Sequence, residues 1–279
     1  MINIKLLKKL YQINSHSREE QQIMAFLYDY IITNFPSVNI WEDKVGNLYI
    51  VKGKAKEYPG VCAHTDQIGC YKGQIYIYRY KNAIIGVNEK GQTVNLGADD
   101  KNGVWIALEL LRTEPFLKVA LFVGEEIGCV GSNACDMSFF DNCKYVIQCD
   151  RKGKGDFITQ AGSVELCSKD WIPAALKSKY GYKNSQGLMT DVQTLKRRGL
   201  KVAACNLSCG YYNPHTDSEY TEISELINCL EFVREIIKTT PLTEHKPSSN
   251  DLRRNYSHVA SSDAAHYGGK YWEDYFNFY

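Results

Sequence analysis

Three short apolar runs, residues 61–64, 119–123 and 145–149, have the length and composition of buried strands, and each ends on or within two residues of a histidine or acidic residue. A strand apolar along its whole length must be covered on both faces, which is the situation of a parallel sheet between helices. Helical periodicity supplies the covers. Residues 4–13 form a short first helix, and Ser17-Arg18-Glu19-Glu20 fits a capping box for a second, with Ile23, Phe26, Leu27, Tyr30 and Ile31 on one face and Pro36 as its stop. Residues 102–111 place Val104, Leu108 and Leu111 on one face. A last amphipathic helix carries Ile223, Leu226, Ile227, Leu230, Val233 and Ile237. Residues 38–41, 47–51, 74–87 and 202–207 read as further strands, and 171–180 and 192–198 as helices. The expected fold is α/β: a mixed, mostly parallel central sheet with helices on both faces. Residues 1–240 form one domain in this reading, and 241–279 a tail or arm, polar up to His258 and aromatic from Tyr267.

The net charge of +1 offers no basic surplus for nucleic acid or acidic membranes, and no apolar run is long enough to span a bilayer. The first eleven residues lack the apolar core and cleavage site of a signal peptide. Ten cysteines without a C-x-x-C pair, several in strand-like surroundings (Cys62, Cys70, Cys129, Cys149, Cys205), read as buried thiols in a reducing, cytoplasmic compartment.

The chemistry is concentrated in five segments: Ala63-His64-Thr65-Asp66, the run GADDKNG from Gly97 to Gly103, Gly124-Glu125-Glu126-Ile127-Gly128, Gln148-Cys149-Asp150, and Asn213-Pro214-His215-Thr216. In open α/β sheets ligands bind beyond the carboxyl ends of the strands. Charge placed there is costly unless it is paired or holds a metal. Imidazole and carboxylate are common zinc donors, and two ions close together need a bridging carboxylate and an imidazole each. His64, Asp99 and Asp150 suit one ion, and Asp99, Glu126 and His215 the second, with zinc expected and cobalt or manganese as substitutes. Each residue also has an ordinary explanation. His64 suits a satisfied core histidine, Glu125-Glu126 a solvated pair, Asp99-Asp100 a helix N-cap, and Asp150 an ion pair with Arg151 or Lys152. Together, in this order, the ordinary readings require a separate coincidence for each segment.

In sequence order, HTD, GADDKNG, GEEIG, CD and NPHT resemble the motifs of the di-zinc exopeptidases, a group that includes tripeptidase T, glutamate-carboxypeptidase-like enzymes and lidless zinc aminopeptidases. The resemblance spans residues 6–238, and Asp43-Lys44-Val45-Gly46-Asn47-Leu48 is similar to a strand entry of the same group. It implies ligand roles for His64, Asp99, Glu126, Asp150 and His215, with Asp99 bridging. It also implies that Asp66 orients His64, that Glu125 is the general base, and that the Asp99–Asp100 peptide bond is cis. The chain departs from tripeptidase T in having no room for a lid between Asp150 and His215, and from the other relatives that dimerise in having only a hairpin's length between His64 and Asp99. A monomer is therefore expected rather than a lid-mediated dimer, or else an oligomer built through other surfaces, for which the aromatic tail from Tyr267 is the candidate.

The implied activity is hydrolysis of short peptides, as an aminopeptidase or tripeptidase. An amidase removing acyl groups from amino acids would use the same site, and a silent binding module would share the fold. A nucleotide-binding domain is disfavoured, because no G-x-G-x-x-G or Walker loop follows a strand. Thr190-Asp191 reads as a simple N-cap. In the segment 205–213 a tyrosine hydroxyl could steady an oxyanion, or the loop could merely position His215.

Overall fold

The computed structural model describes residues 2–69, 71–248 and 252. In chain order the strands are β1 (Val38–Glu42), β2 (Leu48–Lys52), β3 (Tyr58–His64), β4 (Tyr76–Tyr80), β5 (Ala83–Val87), β6 (Thr93–Val94), β7 (Leu117–Phe122), β8 (Cys143–Arg151), β9 (Asp156–Ala161), β10 (Val164–Glu165), β11 (Lys183–Gly187), β12 (Ala204–Ser208), β13 (Tyr211–Tyr212) and β14 (Tyr220–Glu222). The helices are α1 (Ile4–Tyr11), α2 (Gln21–Asn34), α3 (Ala98–Thr113), α4 (Val130–Ala134), α5 (Ala174–Lys179), α6 (Asp191–Arg197) and α7 (Ile223–Thr239).

The main sheet runs β1-β2-β7-β3-β8-β12-β9-β10, with β11 on the free side of β9. Its centre, β7-β3-β8-β12, is parallel, and antiparallel pairs flank it. Side chains alternate between two cores, as the pleat requires. Val61, Val119, Leu121, Tyr145 and Ile147 share one core with buried residues of α1, α2, α3 and α7. Cys62, Ala120, Phe122 and Val146 share the other with Val192 and Leu195 of α6. The fold is the expected mixed α/β sandwich. From β3 the chain steps to β7 on one side and then to β8 on the other, so the direction of travel reverses at β3. The crevice at such a reversal is where open sheets bind ligands.

Residues 76–94, between His64 and Asp99, form the hairpin β4–β5 and the short β6. They join β13 and β14 in a second, five-stranded sheet, β13-β14-β5-β4 with β6 on β5. Between Asp150 and His215 the chain adds β9 to β13, α5 and α6, and no lid domain is built there.

Several local expectations are corrected. The capping box does not form: Glu20 occupies the N-cap of α2 without a side-chain cap bond, and the Ser17 hydroxyl donates to Asp66 instead, at 2.7 Å. Thr190 likewise makes no cap bond. Residues 182–189, which read as a loop in the sequence, contain β11; its KNSQG sequence has no apolar residue, and pairing with β9 makes it a strand. Every cysteine among the described residues is free and buried. No helix of the described residues is long and apolar enough to cross a membrane. Residues 243–245 bond to the body through Ala203, Lys144 and Lys201, while the aromatic segment from Tyr267 lies outside the described residues.

Candidate metal centre

His64 ends β3, Asp150 lies near the end of β8, and Glu125 and Glu126 follow β7. Three parallel neighbours thus deliver their side chains to one rim. Asp99 comes from the start of α3, where Asp99 and Asp100 leave helical geometry and the peptide bond between them is cis. His215 sits on the connection between β13 and β14, carried into place by the pairing of β14 with β5.

Asp99 lies between the two histidines. Its Oδ1 is 3.2 Å from His64 Nε2, and its Oδ2 is 3.3 Å from His215 Nε2. Asp150 Oδ1 is 3.6 Å from His64 Nε2, and Glu126 Oε1 is 2.8 Å from His215 Nε2. Two donor sets result, His64–Asp99–Asp150 and Asp99–Glu126–His215, each with its ligand atoms within 4.8 Å of one another. The first is enclosed, with the His64 side chain 1% exposed; the second is open, with that of His215 40% exposed.

The electrostatics are those of crowded acids sharing protons. Burial alone would lower the His64 pKa, but Asp150, Asp66 and Asp99 outweigh it and hold the imidazolium well above its ordinary range. Asp99, then Glu126, push His215 up to about 10. Burial works to raise Asp99, yet His215 and His64 hold it well below the usual carboxylate range. Burial and the Asp99 charge push Asp150 well up, and burial pushes Glu125 to about 9.

The ordinary explanations divide between neighbours. Asp100 does cap α3: Oδ1 accepts from Gly103 N at 2.9 Å and Oδ2 from His64 N at 3.2 Å. Asp99 is thereby left free to face the histidines. Gly103 is required, because a Cβ there would lie 2.3 Å from Asp100 Oδ1. Gly97 is left-handed at φ +65°, and a Cβ there would meet Gln67 Oε1 at 2.5 Å. Asp150 does not pair with Arg151, which bonds Asp156 instead.

Asp66 is buried against the imidazole: its backbone carbonyl is the hydrogen-bond partner of His64 Nδ1 at 3.0 Å, and its Oδ1 lies 3.3 Å from the same nitrogen. The same carboxylate accepts Glu125 N at 2.9 Å, Glu126 N at 3.2 Å and the Ser17 hydroxyl. Through its carbonyl and carboxylate together, Asp66 ties the orientation of His64 to the backbone of the two glutamates. Tyr211 reaches Asp150 Oδ1 at 3.5 Å, and Tyr212 donates to Glu225 at 2.6 Å.

Sequence reasoning missed several supports. Glu219, buried, accepts from Ala98 N at 3.0 Å and Asp99 N at 3.2 Å. Thr190 Oγ1 and Asp191 Oδ2 bond the two ends of the Gln148 amide. For Gln148 a signal was available: it is polar in an apolar strand, two residues from Asp150 and so on the same face. Glu219 has no such local signal.

No protein-family model matches the chain, and no curated protein does. Solved structures do match. Aminopeptidase PepT from Bacillus cereus superposes with a TM-score of 0.70 at 16% identity, over 85% of this chain and 97% of that one. A tripeptidase from Staphylococcus aureus gives 0.69 at 14% identity, over 85% and 97%. An aminopeptidase from the archaeon Desulfurococcus kamchatkensis gives 0.64 at 16% identity, over 92% and 98%. The chain therefore has the fold of these aminopeptidases and tripeptidases, the fold expected from its resemblance to the di-zinc exopeptidases.

Proposed function

We propose that the protein is a metallopeptidase with two divalent ions, cutting short peptides at the N-terminus. One observation carries the reading: Asp99 turns one oxygen to each histidine, and each histidine has a further carboxylate beside it. The donors fit the group. Three imidazole and carboxylate ligands per position suit zinc, with cobalt and manganese as substitutes. Buried carboxylates also outnumber the nearby cationic side chains, an imbalance that divalent ions would correct.

His64, Asp99 and Asp150 would hold one ion, and Asp99, Glu126 and His215 the other. Bound there, the ions supply Lewis acidity toward a carbonyl oxygen and water acidified to near neutrality. Asp66 holds the His64 ring from behind, keeping Nε2 turned to the site. Glu125 takes the proton of the attacking water on its carboxylate and returns it to the leaving amine. Burial makes that carboxylate basic, and cations beside it would bring its pKa back toward neutrality. The open His215 side admits the substrate.

Without a lid, we propose a monomer, and light scattering tests it. Activity is tested on aminoacyl anilides, dipeptides, tripeptides and N-acetyl amino acids, with the protein zinc-loaded or chelated. Metal-dependent cleavage of substrates with a free amino terminus is expected. Cleavage of the N-acetyl amino acids alone would make the protein a deacylase, and no turnover with metal bound would make it a binding module.

A further inference from the structure

We propose that Gln148 is a positioning residue that holds Asp150 Oδ2 away from the site, turns Oδ1 toward the ion position beside His64, and so makes the two ion positions unequal; this rests on the two-ion reading. Gln148 is fully buried in β8. Its amide oxygen is claimed twice, by the Thr190 hydroxyl at 2.7 Å and by Val192 N at 3.1 Å. Both are donors, so the NH₂ group must face the other way. There it donates to Asp150 Oδ2 and Asp191 Oδ2, each at 3.1 Å.

The surroundings hold that arrangement. Asp191 is fully buried, and its other oxygen accepts the Ser132 hydroxyl at 2.6 Å. Asn206 clamps the Asp150 backbone, accepting from its N–H at 2.9 Å and donating to its carbonyl at 3.0 Å. The same Asn206 amide donates to Thr190 Oγ1 at 3.1 Å. These bonds hold Oδ2 away from the site, and Oδ1, which lies beside His64 and also accepts from the Tyr211 hydroxyl at 3.5 Å, is the oxygen turned to an ion. On the other side, Glu126 Oε1 is met by the half-exposed His215. The His64 position is thus preorganised by a buried amide, whereas the His215 position is not.

Zinc titration by calorimetry separates the two positions. In a His215→Ala background, Gln148→Met should weaken zinc binding about 10- to 100-fold, the usual cost of losing a partner behind a ligand. In a His64→Ala background the same substitution should leave zinc binding unchanged. Thr190→Val removes one of the two bonds that orient the amide. It should give a smaller loss, again only in the His215→Ala background, and it serves if Gln148→Met does not fold. Equal losses in both backgrounds, or none in either, would overturn the proposal. A parent protein that binds no zinc would instead remove the two-ion reading itself.

Discussion

Glu125 and Glu126 are adjacent, and both backbone N–H groups are bound by the single carboxylate of Asp66. Only Glu126 touches a histidine of the centre. That division predicts two different failures. Glu125→Gln keeps size and shape but removes the base, so both ions should remain while turnover falls by a factor on the order of 10² to 10⁴. Glu126→Gln should lose occupancy at one position, with partial recovery in excess zinc. Metal content and rate measured on both variants check this, and near-normal activity of Glu125→Gln would overturn the assigned role. Proton release is a second consequence. His64 and His215 are both held in the protonated form in the metal-free chain. A ligating imidazole must be neutral and a ligating carboxyl ionised, so each ion displaces at least one proton, and affinity should fall as pH falls, by about tenfold per unit for each proton released. Titrations in buffers of different ionisation enthalpy at pH 6 and 7.5 measure both quantities.

At the scale of elements, α2 and the turn after β7 meet through Glu20, a buried carboxyl at the N-cap of α2 whose Oε1 accepts Gly124 N at 3.1 Å. Burial, then the charge of Asp66, raises its pKa from 4.5 to about 7. Between those values the folded chain keeps a proton that the unfolded chain has released. The contribution is complete below the unfolded value and is lost as pH rises through the folded one. Glu20→Gln cannot titrate, and its amide oxygen can still accept from Gly124. Relative to the parent, the variant should therefore gain stability from pH 5 to pH 8, by about 2 kcal/mol. Urea denaturation in chelator at pH 5, 6.5 and 8 gives the comparison. A difference constant across that range would mean that Glu20 is not the titrating group.

For the whole molecule, the donors come from β3, α3, β8, the turn after β7 and the β13–β14 connection, so unfolding disperses them. An ion that binds only the folded chain stabilises it in proportion to the logarithm of its concentration over Kd. Zinc at about a thousand times Kd should raise the melting temperature by on the order of 10 °C, and a chelator should reverse the shift. Calorimetric melts with and without chelator check this, and coincident melts would argue against a metal held between these elements.

The sequence by itself determined the layered α/β architecture and the rim where chemistry is possible. Buried parallel strands need long apolar runs, and polar residues directly after such runs have few places to go. His64, Glu125, Glu126 and Asp150 are legible for that reason, and so is α3 through its apolar face. The tertiary structure alone decided how the site is supported. Ser17 lies 49 residues from Asp66, and Glu219 lies 120 residues from Asp99. Each pairing depends on which elements pack together and leaves no periodic trace in the chain. The same holds for β11, a polar edge made a strand by its neighbour, and for the hairpin strand β5, whose pairing with β14 brings His215 to the site. Local pattern records which face of an element is buried; it does not record what lies on the other side of the contact.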